Sequence, residues 1–96
     1  MKLIAIEHEV PDKSAADFAP HLRAEAQRVW ELSQAGLIRE SYFRTDRDEA
    51  VLVLECAGVE EAEDVLGSLP LVRAGLIQFE VIPLRAYPGF ARLFSD

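Results

Sequence analysis

The stretch Leu76–Leu84, LIQFEVIPL, constrains this chain more than any other. Strand alternation puts Ile77, Phe79 and Val81 on one face, and Leu76, Gln78, Glu80, Ile82 and Leu84 on the other. Both faces are largely apolar, so the strand belongs in a sheet that is covered on both sides. A 96-residue chain has too few other elements to cover both faces of its own sheet. A single carboxylate, Glu80, stands in the middle of the strand.

The remaining elements follow in order. Lys2–Val10 reads as a strand, apolar on both faces through Leu3, Ile4, Ala5 and Ile6, with Glu7, His8 and Glu9 at its wet end. Ser14 followed by Asp17 has the spacing of a capping box, so a short turn is expected over Ser14–Phe18. The main helix should begin near Pro20, the one place in a helix where proline is at home. Leu22, Ala26, Val29, Trp30 and Ser33 give that helix a buried stripe, and Gly36 suits its C-terminal end. Leu37–Thr45 and Ala50–Cys56 form a hairpin across a charged turn. Val59–Ser68 is a second helix, with acids in its first turns where the helix dipole favours them. Pro70 breaks it, and Leu71–Gly75 leads into the last strand.

The order is βαββαβ, the ferredoxin-like pattern of the α+β class: a four-stranded antiparallel sheet with two helices on one face. Three of the four strands are apolar on both sides, which would leave a larger apolar patch exposed than monomers tolerate. A second copy is the simplest cover, giving a homodimeric α+β barrel, with larger rings of dimers also open. The chain reads as one domain, residues 1–96, whose apolar tail, residues 85–96, packs on the partner subunit.

Composition narrows the partners. The net charge of −7, with acids crowded at Glu55, Glu60, Glu61, Glu63 and Asp64, argues against nucleic acid and anionic membrane surfaces. The sequence has no apolar run long enough to span a membrane and no signal-peptide pattern, which points to the cytoplasm. Cys56 is the one cysteine, expected as a small buried apolar group, and no Cys/His spacing suggests a metal. No phosphate loop, dinucleotide fingerprint or nucleophile elbow is present, so no cofactor is expected.

The residues left to carry chemistry are few. Glu80 reads either as an exposed carboxylate or as a general acid/base whose pKa rises among apolar neighbours. Arg39 is either a surface ion pair or an anion and oxyanion partner. His8 is a solvated strand-end residue or a third catalytic group. Glu25 shares a helix face with His21, and it joins Tyr42 and Phe90 as an expected substrate contact. Trp30 reads as core.

Leu69-Pro70-Leu71, then Phe79-Glu80-Val81, Leu84 and Pro88, resemble the muconolactone isomerase family of dimeric α+β barrel proteins. Glu25, and Gly36 followed by Arg39, are weaker echoes. Val72–Leu76 replaces an aromatic-proline segment typical of those isomerases, and Tyr87-Pro88-Gly89-Phe90 replaces a His-Pro-Ser type of ending. The resemblance implies a cofactor-independent isomerase that shifts a proton on a small lactone or related carbonyl or carboxylate compound. A non-catalytic small-ligand or interaction module, and a cofactor-free monooxygenase-like protein, are the alternatives on the same barrel.

Overall fold

The computed structural model describes residues 1–95. Four strands form one antiparallel sheet: β1 (Lys2–Glu9), β2 (Ile38–Phe43), β3 (Ala50–Glu55) and β4 (Ile77–Pro83), in the order β2-β3-β1-β4. Between β1 and β2 lie a short helix α1 (Ala15–Phe18), a 3-10 turn (Ala19–His21) and the long helix α2 (Leu22–Gln34). Between β3 and β4 lie α3 (Val59–Gly67) and a single turn α4 (Pro70–Arg73). This is the expected βαββαβ arrangement, an α+β fold with its helices on one side of the sheet.

Local chemistry sets the element ends. The Ser14 backbone N–H donates to Asp17 Oδ2 at 2.8 Å, closing the turn that opens α1. Pro20 sits in the 3-10 turn rather than at the start of the main helix. α2 therefore begins two residues later than the proline rule suggests. Gly36, at a φ of 81°, makes the left-handed turn out of α2 that a side chain would resist. β2 is shorter than expected and carries a bulge between Ile38 and Glu40.

Residue parity divides the sheet. Leu3↔Leu54 and Ala5↔Leu52 pair across β1 and β3, and Ala5↔Val81 and Glu7↔Phe79 pair across β1 and β4. Directly opposed residues share a face, so these side chains lie under the helices with Leu32, Ala62, Val65, Leu66 and Leu69. The other face presents Ile4, Ile6, Val51, Val53 and Ile82, together with Glu80, His8 and Tyr42. No layer of this chain packs on that face among the described residues.

The tail leaves the sheet beside Lys2, whose carbonyl accepts from Leu84 N–H at 2.9 Å. It ends in a 3-10 turn, Pro88–Leu93, in which Tyr87 and Phe90 meet edge to face at 5.1 Å. Phe94 is 86 % exposed. The radius of gyration is 15.8 Å, against about 12–13 Å for a compact chain of this length. The outstretched tail accounts for that excess. Asp96, the last residue of the tail, lies outside the described residues. Among the described residues, no helix is long and apolar enough to cross a membrane.

Candidate functional site

The end of β1 differs at Glu7 from the sequence expectation of a wet end. Glu7 is not at a wet strand end: it is 6 % exposed. Its position follows from parity, since Leu3, Ala5 and Glu7 share one face of β1 and that face carries the helices. Burial raises its carboxyl from the ordinary 4.5 to about 7. A backbone N–H of Ala50 works against the rise, and the charges of Glu9, Glu49 and Glu25 add to it. Glu49, itself buried, accepts the Glu9 N–H at 3.1 Å.

Glu7 borders a cavity of about 550 Å³ between α2 and the sheet. Glu25 reaches the same cavity from α2. Its Oε1 accepts the Leu71 N–H at 2.9 Å, capping the first turn of α4 with a carboxylate. Burial also raises the Glu25 carboxyl, and the Leu71 bond opposes that rise. Val29, Leu52, Leu71 and Phe79 supply apolar walls, while Leu22, Trp30 and Phe43 stand exposed at the opening.

Trp30 is accordingly not core. It is 62 % exposed, and Leu32 takes the buried place on α2. The space beneath the Leu22–Ala26–Trp30 side of the helix is cavity rather than packed sheet, so that part of the apolar stripe forms a wall. Cys56 is buried as expected, and burial pushes its thiol up.

The residues singled out in the sequence divide between the two faces. Glu80 lies on the open face opposite Ile6, and His8 lies on the same face opposite Gln78. Glu80 and His8 are thus diagonal neighbours, within reach of each other's side chains. Arg39 does not join them. It sits at the β2 bulge, three strand spacings or about 14 Å from β4, and its Nε donates to the Gly36 carbonyl at 2.6 Å. Tyr42 edges the cavity but turns its hydroxyl to Glu40 on the open face, donating at 2.6 Å. Phe90 is carried away from the cavity, because the tail leaves the sheet about four residues of β1, or about 14 Å, from Glu7. Of the expected residues, only Glu25 and Tyr42 border the cavity. Among the described residues, no group of three or more His, Cys, Asp or Glu side chains is placed to hold a metal.

Comparison with known proteins adds a fold. The chain is similar to the crystal structure of muconolactone isomerase, with a TM-score of 0.75 at 22 % identity over 92 % of each chain. It is also similar to 5-chloro-2-hydroxyhydroquinone dehydrochlorinase from Burkholderia phenoliruptrix AC1100, in complex with 2,5-dihydroxybenzoquinone. There the TM-score is 0.70 at 16 % identity, covering 93 % of this chain and 98 % of the other. No family model and no curated protein sequence matches. The muconolactone isomerase-like fold is thereby established for this chain.

Proposed function

We propose that this chain is a cofactor-independent enzyme that moves a proton on a small molecule held between α2 and the sheet. Glu7 is the acid/base, and Glu25 is the second carboxyl of the site. The observation that carries this reading is Glu7 itself: a buried carboxyl bordering a cavity, with its pKa raised to about 7. At neutral pH such a group populates both protonation states, the condition under which one side chain both takes and returns a proton. The double-bond shift is balanced, since Glu7 removes a proton beside a carbonyl and delivers it to another carbon of the same molecule. Two proteins that share the fold are named for an isomerisation and a dehydrochlorination of small molecules, which fits this class of chemistry.

The subunit is proposed to work as a homodimer, with the open sheet face and the aromatic tail as its contact surfaces. A second reading places the chemistry on that open face, where Glu80 and His8 adjoin within an apolar surrounding of Ile6 and Ile82. In that reading Arg39 and Phe90 enter from the second copy.

The test is a turnover screen of small lactones and hydroxyquinones, run on the wild type, Glu7→Gln and Glu80→Gln. Each swap keeps side-chain shape and removes the proton shuttle. Glu7→Gln should lose about 10²-fold or more in kcat, and Glu80→Gln should change it little. The reverse pattern moves the site to the open face. Binding of one compound without turnover of any would make the chain a ligand-binding module.

A further inference from the structure

The cavity around Glu7 has an unbalanced charge. Glu7 and Glu25 are its ionisable carboxyl groups, and no Lys, Arg or His lines it among the described residues. The hairpin arginines do not line the cavity and are held by hairpin acids: Arg44 lies 2.6 Å from Asp46 and 3.8 Å from Glu49, and Arg47 lies 3.5 Å from Glu49. Glu9 adds further negative charge around Glu7, and Glu49 adds some although Arg44 and Arg47 offset its charge. A ligand carboxylate entering this site would meet two acids in a partly desolvated space and no cation to receive it. Like charges brought together at low dielectric repel strongly.

The remaining walls point to a flat ring. Phe79 lies on the sheet side, with Trp30 and Phe43 at the opening, and such faces stack on unsaturated rings. The two carboxyl groups offer complementary hydrogen bonding. A protonated Glu7 donates to a carbonyl oxygen, while the Glu25 carboxylate accepts from a hydroxyl.

We infer that the cavity selects an uncharged unsaturated ring bearing a carbonyl, and rejects the same ring when it carries a carboxylate. This rests on the cavity being the functional site, and it sets the substrate class. It departs from the anionic substrate that an Arg39-centred site would favour.

The test uses one matched pair of ligands: a five-membered unsaturated lactone with an acetate arm, and its methyl ester. Binding is followed by calorimetry and by emission of Trp30, the one tryptophan in the chain. At pH about 8 the ester should bind at least about tenfold more tightly than the acid. The gap should narrow at pH about 5.5, where Glu7 gains its proton while the ligand carboxylate stays ionised. In the Glu7→Gln/Glu25→Gln double variant, the two ligands should bind within about threefold of each other. Should that variant fail to fold, the pH dependence of the wild type carries the test alone. Equal or tighter binding of the acid at pH about 8 overturns the inference, as does failure of both ligands to bind at millimolar concentration. Ester selectivity combined with full turnover by Glu7→Gln would keep the inference and remove Glu7 from the chemistry.

Discussion

Glu7 and Glu80 lie on neighbouring strands, one residue pair apart in the ladder, yet they live in different solvents. Glu7 pairs with Phe79 beneath the helices, while Glu80 pairs with Ile6 on the uncovered face. Local sequence points the wrong way for both, since Glu7 adjoins His8 and Glu9 while Glu80 stands between Phe79 and Val81. What separates them is parity on the strand and which face the helices cover. The side with a protein layer above it raises a carboxyl's pKa and encloses a cavity. The other side offers surface that only a second molecule can enclose.

The largest expected effect tests whether the helix face is the folding core. Leu54 is fully buried there, so Leu54→Ala should cost about 2–5 kcal/mol in chemical denaturation. Val53, one residue away on the same strand, points to the open face. Val53→Asp should leave the subunit folded and abolish self-association in sedimentation. A variant that unfolds as Leu54→Ala does would erase the distinction between the faces.

A smaller effect isolates the buried carboxyl. Because the Glu7 pKa is raised on folding, from 4.5 to about 7, the folded state binds the proton more tightly than the unfolded state does. The contribution of Glu7 to stability is then fully present below pH 4.5 and is lost as pH rises through 4.5 to about 7. The loss of that contribution above the window is on the order of 3 kcal/mol. Glu7→Gln should flatten this part of the profile. The same swap at Glu80 should leave it in place. A wild-type profile that is level across this window would show that Glu7 is solvated.

The smallest effect concerns the rim of the cavity. Trp30→Ala should change stability by less than about 1 kcal/mol, as exposed positions do. A loss of about 3 kcal/mol or more would show that Trp30 is covered in the working assembly.

The strands, the hairpin and the helix-on-sheet layering were legible in the sequence because period-2 and period-3.6 patterns are local. Ile77, Phe79 and Val81 were correctly placed on one face. The site was legible only in part. Glu7 was missed because an acid next to His8 and Glu9 looks like a strand emerging into water. The available signal was its two-residue spacing from Ala5 and Leu3. Trp30 was misplaced for a related reason: an apolar helix stripe does not distinguish a packed face from a cavity wall. On α2 the inward positions are Glu25, Val29 and Leu32, a stripe that contains a carboxylate. Arg39 and Glu80 could not be separated without the strand order, which places β2 and β4 at opposite edges.

The bond from Leu71 N–H to Glu25 has a consequence for how readily a ligand is received. One carboxylate oxygen is already anchored at 2.9 Å to the backbone of α4, leaving the other to the cavity. A free glutamate must give up rotamer freedom when it meets a ligand, at about 0.5–1.5 kcal/mol per side chain. Glu25 gives up much of that freedom during folding, when its anchor forms, so the entropy is lost before any guest arrives. The link between two helices therefore also serves as preorganisation of the acceptor.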